Sequence, residues 1–358
     1  MIASDFDRRQ FLLAATLPLL ACQPAAATAH IVGGFTGTDP ARGHLLRSPG
    51  KSWAAPAITR TTSVLIVGAG VAGLAAARAL RQKGREDFVL LELEDAMGGN
   101  SRSTAVNGIA CPQGAHYLPL PTDAAWEVQD LLEELGLRWR QSGRWVYDER
   151  HLCHSPQERL FFNGAWQDGL LPLQGVSAAT LTQYRRFAAL VEQARRAQRW
   201  TVPAAKSPVT PMTQSLAAIT FESYLHQHGL TDAHLRWYLN YCCSDDYGVG
   251  VSHVSAWAGL HYFASRHGFA APGMDLTQRE GLLTWPQGNG WLTQRLAEPL
   301  GERLRGGQVV LRVANTKHGV VVDVLNLRTQ AVERWQARRA ILALPVLAAA
   351  RVVESPPL

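Results

Sequence analysis

The first clear pattern along the chain is a continuous apolar run, Val64 to Val67, of the kind that suits a central parallel strand buried on both faces. An alanine-rich stretch from Ala72 to Lys83 follows and predicts a helix that stops at Gly84. Phe88 to Leu93 is again largely apolar and predicts a second strand, completing a βαβ opening. Before it, residues 30–60 are rich in Gly, Pro, Thr and Arg without periodicity and read as a linker or arm.

Beyond residue 120 the character shifts to helices and loops. Thr122 is placed to cap a helix that runs to Leu135 and stops at Gly136. Phe162-Asn163-Gly164-Ala165 reads as a hairpin turn. Helical spacing recurs at 179–197, 220–228, 232–243 and 253–266, then from Gly290 to Leu304; strands are predicted near 308–314, 319–325, 330–336 and 340–344. There is no internal repeat.

The turn between the first strand and helix carries the chemistry. Val67-Gly68-Ala69-Gly70-Val71-Ala72-Gly73 holds G-x-G-x-x-G, which on its own is a weak signal and gains meaning from the strand before it and the helix after it. Gly68 permits the tight turn, Gly70 lets the backbone approach a pyrophosphate, and Gly73 lets the helix pack on the strand. The helix N-terminus at Val71 and Ala72 then offers unpaired N–H groups and a positive dipole end to an anion. Glu92, about twenty residues on, stands where a carboxylate can accept hydrogen bonds from ribose hydroxyls.

Composition narrows the class. The 358 residues exceed one ordinary domain, and 47% hydrophobic with 18% charged residues describes a chain with large cores. The net charge of +6 has no polybasic run behind it, so nucleic acid is not an expected partner. Cys111, Cys153, Cys242 and Cys243 match no zinc spacing, and no metal is expected; neighbouring Cys242 and Cys243 read as small packed hydrophobes. No Ser-His-Asp or P-loop spacing occurs. The first 29 residues read as a targeting signal: Asp7-Arg8-Arg9-Gln10-Phe11-Leu12 resembles the twin-arginine export motif, and the apolar run Phe11 to Ala21 is too short to span a bilayer. The expected partner is the twin-arginine export machinery and the expected place the periplasm. Two ends fit the leader: Leu19-Leu20-Ala21-Cys22, which resembles a lipoprotein box with Cys22 as the lipid anchor, and the small-residue cleavage site Ala27-Thr28-Ala29.

The glycine motif alone does not separate FAD from NAD. After Glu92 come Met97-Gly98-Gly99-Asn100-Ser101 and Gln113-Gly114-Ala115-His116-Tyr117, and here the sequence resembles the flavin-containing amine oxidase superfamily. The resemblance implies FAD as cofactor, with Gly98, Gly99, Asn100 and Ser101 along its phosphates and ribityl chain, and Gly114, Ala115, His116 and Tyr117 at the flavin ring. It resumes at Trp285-Pro286-Gln287-Gly288-Asn289-Gly290-Trp291-Leu292, at Val309 to Val313, where it makes the Val313 backbone an adenine contact, and at Arg339 to Pro345. It further implies an α/β fold in which a Rossmann-type FAD-binding domain (61–120, continued at 285–346) is interleaved with a mainly helical, α+β substrate domain (121–284). The implied reaction oxidises a small organic substrate, an amine among the candidates, by hydride transfer to flavin N5.

Departures from the family pattern are part of the reading. Asn100 stands where arginine is usual, removing a charge beside the phosphates, and Cys111-Pro112 stands where an acidic residue is common. Leu358 comes just past the expected return strand, with 347–358 as its tail, an ending expected of a fragment. His116 is the catalytic candidate, with a pKa range suited to proton transfer, beside the plainer reading of a positioned loop histidine. Tyr241, Asp245, Asp246, Tyr247, Trp257, His261 and Tyr262 cluster on two predicted helices; Trp257, Leu260 and His261 share one helix face and read as core ahead of substrate cage. Asp245-Asp246 reads as a helix end ahead of a site for a cationic amine. An NAD(P)-dependent dehydrogenase and a non-catalytic exported protein remain as alternatives.

Overall fold

The structure is a computed structural model that describes residues 36–47, 53–153, 158–266, 268–272 and 281–355. The expected leader, with its arginine pair, Cys22 and Ala27-Thr28-Ala29, lies outside the described residues.

The arm ahead of the first strand is more ordered than its composition predicts. Pro40–His44 forms a short helix, α1, capped by the Asp39 side chain, which accepts the Ala41 N–H at 2.9 Å. Strand β1 starts at Ile58 and runs to Val67. Helix α2, Val71–Gln82, and strand β2, Phe88–Leu91, complete the βαβ opening. One hairpin and a short strand follow: β3 (Ser103–Val106) with β4 (Ile109–Pro112), then β5 (Tyr117–Pro119). Helix α3, Trp126–Glu134, begins three residues later than the sequence suggests, because Thr122 donates its hydroxyl to the Val202 carbonyl (3.2 Å) instead of capping. Hairpin β6 (Arg138–Gln141)–β7 (Arg144–Tyr147), strand β8 (Leu152–Cys153) and hairpin β9 (Arg159–Phe162)–β10 (Ala165–Asp168) come next. At the turn of the last, Asn163 (φ 50°) and Gly164 (φ 79°) adopt the expected left-handed pair.

Five helices then form a layer with its own core: α4 (Ala178–Ala197), α5 (Pro211–Ala217), α6 (Phe221–Gln227), α7 (Ala233–Tyr247) and α8 (Ala256–Ala264). Their buried stripes meet around Phe187, Phe221, Leu235, Leu239, Leu260 and Phe263. Asp245 and Asp246 lie inside the last turn of α7 and do not end it; Gly248, at φ 71°, does. Strand β11 (Leu282–Thr284) lies between β5 and β8 in an antiparallel three-stranded sheet. Helix α9 is Gly290–Ala297, shorter than predicted because Pro299 turns the chain into 3-10 geometry over Glu298–Arg303.

The remaining strands, β12 (Leu304–Arg305), β13 (Gln308–Thr316), β14 (Gly319–Asn326) and β15 (Ala331–Leu342), join the first two in a six-stranded sheet ordered β12-β2-β1-β15-β14-β13. Pairing is parallel for β12, β2, β1 and β15 and antiparallel from β15 through β14 to β13. The two strands expected at 330–336 and 340–344 are one: no turn residue interrupts 336–340, and Ala337 through Leu342 continue against β1. A final helix, α10, is Val346–Val352.

The apolar run that announces β1 is buried on both faces, as such a run requires. Ile66 packs with Phe88 and Leu90 against Leu74 and Ala77 of α2 and Leu296 of α9. Leu65, Val67 and Leu91 face the other way, against Val310, Val313, Val322, Val324 and Trp335. Each such side chain contributes about 1.5–3 kcal/mol on burial.

Candidate functional site

The end of β1, the N-terminus of α2 and the end of β2 converge at the glycine turn. Gly68 has φ 100°, and a Cβ there would stand 2.6 Å from the Ala343 carbonyl oxygen. A Cβ on Gly73 would stand 1.9 Å from the Gly68 carbonyl, which is why helix and strand can approach only with glycine at this position. Around Gly70 the nearest atom to such a Cβ is 3.8 Å away, at the Gly99 Cα. The turn therefore leaves open space where the motif predicts a pyrophosphate. Gly70 is the N-cap of α2 and supplies no side-chain cap, and Val71 and Ala72 are exposed, so the first-turn N–H groups are left without a cap at an accessible helix end.

Two further segments close on this turn. The Glu92 carboxylate accepts the Ala69 N–H at 2.7 Å and the Glu94 N–H at 3.1 Å, which fixes it beside the glycine turn. The Gly98 N–H donates to the Ala69 carbonyl at 2.8 Å, bringing Gly98 and Gly99 alongside Gly70. Ser101 is buried, and its carbonyl accepts the hydroxyl of Thr293 from α9 at 3.2 Å.

The stretch expected at the flavin ring hangs from the same turn. The Asn100 carbonyl accepts the Ala115 N–H at 2.9 Å and lies 2.4 Å from where a Cβ on Gly114 would be. Asn100 is thus a structural link between the two glycine segments. The Trp285–Trp291 segment packs beneath: the Asn289 N–H donates to the Ala115 carbonyl (3.0 Å), its side-chain amide donates to the Tyr117 carbonyl (2.8 Å), and the Thr284 hydroxyl donates to the His116 carbonyl (3.0 Å). Trp285 and Trp291 stack with planes 2° apart and brace that turn. The backbone is held on all sides, while His116 and Tyr117 keep exposed side chains, edge to face with centroids 5.0 Å apart. The His116 ring contacts its own Gly114 carbonyl at 3.2 Å.

The site thus gathers Gly68, Gly70, Val71, Ala72, Gly73, Glu92, Gly98, Gly99, Asn100, Ser101, Gly114, Ala115, His116 and Tyr117. Val313 shares a core cluster with Val67 and Leu91, the neighbours of Gly68 and Glu92, and its carbonyl accepts the Glu354 N–H at 2.9 Å. The β13 residue that meets the Glu92 segment is Gln308, whose N–H donates to the Glu92 carbonyl at 2.8 Å. Asn289, Thr293, Glu94 and Arg102 were not singled out by sequence. Asn289 alone carried a signal, lying inside the segment shared with the family.

The second cluster divides. Leu260 and His261 are core: His261 is 7% exposed, contacts the Thr201 carbonyl through Nε2 at 2.7 Å and stacks on Trp257, and burial lowers its pKa. Trp237 and Tyr241, one turn apart on α7, are stacked and 47% and 40% exposed. Burial raises the Tyr117 hydroxyl above its usual range, with the carboxylates of Asp245 and Asp246 pushing the same way. Burial raises that of Tyr241 too, again with Asp245. Asp246 is paired with Arg266 at 3.1 Å. Cys242 and Cys243 are buried and reduced, as their packing role requires. Among the described residues no cluster suits a metal ion and no helix is long and apolar enough to cross a membrane.

A largely parallel sheet with an uncapped helix N-terminus, an open glycine turn and a carboxylate fixed beside it is the arrangement of dinucleotide-binding α/β proteins. The profile of the flavin containing amine oxidoreductases matches residues 71–358, and the chain belongs to that family, whose cofactor is FAD. It is 31% identical to protoporphyrinogen oxidase 2 of Arabidopsis thaliana over 129 residues, 36% of this chain and 23% of that protein. It is 24% identical to the flavin-containing amine oxidase B of Cavia porcellus over 299 residues, 82% of this chain and 52% of that one. Putrescine oxidase bound to putrescine has the same fold, with a TM-score of 0.61 at 21% identity over 83% of this chain and 61% of that one. The chain thus spans about half the length of the amine oxidase and less of the plant enzyme. The residues present fit FAD: the space at Gly70, the free N–H groups of α2 and the Glu92 carboxylate are what its diphosphate and ribose need.

Proposed function

We propose that this chain is an FAD-dependent oxidoreductase of the amine-oxidase type, acting on a small organic molecule, with amines as the substrate class. The observation that carries the reading is the convergence of the uncapped α2 N-terminus, the Glu92 carboxylate and the Gly98-Gly99 turn around one open space. FAD, when bound, supplies hydride-accepting chemistry. The protein's part is placement. The α2 N–H groups and dipole hold the diphosphate, and Glu92 accepts from the ribose. The Gly114–Tyr117 backbone, fixed by Asn100, Asn289 and Thr284, sets the floor of the ring site. His116 and Tyr117 present polar groups there, and His116 is the candidate for moving a proton. Exposed aromatic faces on Trp237 and Tyr241 with Asp245 one turn further along α7 favour a cationic substrate.

On this reading residues 61–120 and 285–346 hold the cofactor and 121–284 present the substrate. Arg8-Arg9 and the apolar run after them support export through the twin-arginine machinery to the periplasm, with Cys22 offering a site for a lipid anchor. Loss of export on replacing both arginines by lysine, read by cell fractionation, checks that part.

The visible spectrum of the purified chain tests the cofactor reading. Two flavin bands that bleach with dithionite, followed by turnover in a screen of amines, are expected. A chain that stays colourless after incubation with FAD would refute it.

A further inference from the structure

Residues 36–47 precede the first strand and hold none of the groups that the cofactor chemistry needs, yet they bond to three of the segments beside the cofactor site. We propose that Thr36–Arg47 is a strap that keeps the FAD cradle closed, with Arg42 and Arg102 as positioning residues that fasten it. The proposal rests on the assignment of the glycine turn to FAD.

Three separate stretches of the cradle are tied by this one strand of chain. At the ring end, the Gln113 side chain donates to the Thr36 carbonyl, immediately before Gly114. At the phosphate turn, Arg102 donates from Nε to the Gly99 carbonyl at 3.0 Å while its two terminal nitrogens donate to the Gly37 carbonyl and to the Thr38 hydroxyl, the latter at 2.8 Å. At the ribose end, the Asp39 N–H donates to the Glu94 carboxylate at 3.1 Å, and Arg42 donates to the Leu93 carbonyl (3.2 Å) and the Asp95 carboxylate (2.6 Å). Leu45 and Leu46 then anchor the strap in the core formed by Val309, Leu325 and Val332. The post-β2 segment, the Gly98–Arg102 turn and the β3–β4 hairpin therefore cannot separate while the strap is seated.

Charge gives the strap a second role. Glu94 is 8% exposed and only two residues from Glu92, so its carboxylate adds negative charge beside a site meant for a diphosphate. Arg42 and Arg102 approach it to 3.8 and 3.9 Å. With Asn100 carrying no charge, Arg42 is a cation that the strap itself brings to this edge. Lifting the strap both frees the cradle segments and leaves Glu94 and Asp95 less compensated, and both changes favour release of FAD.

The experiment uses the full chain loaded with FAD, with release followed by the rise in flavin fluorescence on dilution. Arg42→Ala is expected to release FAD about tenfold faster or more, through loss of its charge-assisted contacts to Leu93 and Asp95. Thr38→Val, which touches only the strap side of the Arg102 bond, is expected to accelerate release by a smaller factor. Trypsin cleavage after Arg42 and Arg47 should slow when FAD is bound, an effect that a merely structural arm would not show. If the wild type retains FAD and both variants release it at the wild-type rate, the strap is overturned while the cofactor site stands. A wild type that binds no FAD overturns both. Should Arg42→Ala fail to fold, Thr38→Val and the trypsin comparison decide.

Discussion

The Glu92 carboxylate accepts the Ala69 N–H at 2.7 Å, so the acid at the end of β2 and the glycine turn at the end of β1 are one rigid unit. The bond orients the carboxylate ahead of any ligand. Glu92→Gln keeps the shape and loses the charge. Because hydrogen bonds to a charged acceptor contribute about 1.5–3 kcal/mol, FAD affinity should fall roughly ten- to hundredfold, measured by fluorescence titration, and the cofactor-free chain should also lose stability, since Gln has one oxygen for the two N–H groups that Glu92 accepts.

Gly70 and Gly73 should separate binding from folding. The space beside Gly70 admits a Cβ, the nearest atom being 3.8 Å away, so Gly70→Ala should fold normally, whereas Gly70→Glu should fill the diphosphate position and abolish FAD retention. A Cβ at Gly73 would meet the Gly68 carbonyl at 1.9 Å, and Gly73→Ala should destabilise the chain by about 1–3 kcal/mol or more through overpacking. Urea unfolding of both variants without FAD checks this order.

Thiol reactivity should follow burial. Desolvation pushes the Cys242 and Cys243 thiols up to about 12, and both side chains are 1% exposed. They should resist alkylation at pH 8 in the native state, while half-buried Cys111 reacts. Peptide mapping after a timed exposure to iodoacetamide reads the difference; rapid labelling of Cys242 in folded protein would contradict the packing described.

Acid should weaken one local lock. Asp148 caps the Glu149–His151 turn and pairs with Arg150 at 2.6 Å, and that bond holds its carboxyl at about 2, below its ordinary value of 3.8. A depressed folded-state pKa gives stability that is present above the ordinary value and is lost as pH falls toward 2. Asp148→Asn should therefore lower the urea midpoint at pH 6 and leave a smaller difference from wild type at pH 2.5.

The βαβ frame of the candidate cofactor site was legible because its physics is local. A buried parallel strand must be apolar throughout, a diphosphate needs bare backbone, and both leave their mark within a dozen residues at Val64–Gly73. What escaped depends on partners far along the chain. β11 is three residues long and exists only because β5 and β8 flank it. Thr122 was a sound cap by type, yet its hydroxyl serves Val202. The arm at 36–47 has no periodicity because carbonyls and side chains of the cradle, not a core of its own, determine its path. Asn107-Gly108 (φ 50° and 78°) gives the same hairpin signal as Asn163-Gly164, but its flanks alternate weakly. The helical cluster around Trp257 could be placed in the core by spacing, whereas the exposure of Trp237 and Tyr241 could not be read that way.

The pairing of β1 with β15 sets the order in which the molecule can be assembled. Arg60 and Glu333, joined across these two strands at 2.6 Å, are 273 residues apart in sequence. During synthesis the first strand made keeps one hydrogen-bonding edge open until nearly all of the described chain has emerged, an edge on which other polypeptides can add. The carbonyl of Ala343, just past β15, also packs against Gly68, so the glycine turn takes its final shape at the same late moment. On the proposed assignment of the glycine turn to FAD, capture of the cofactor follows insertion of that last long strand.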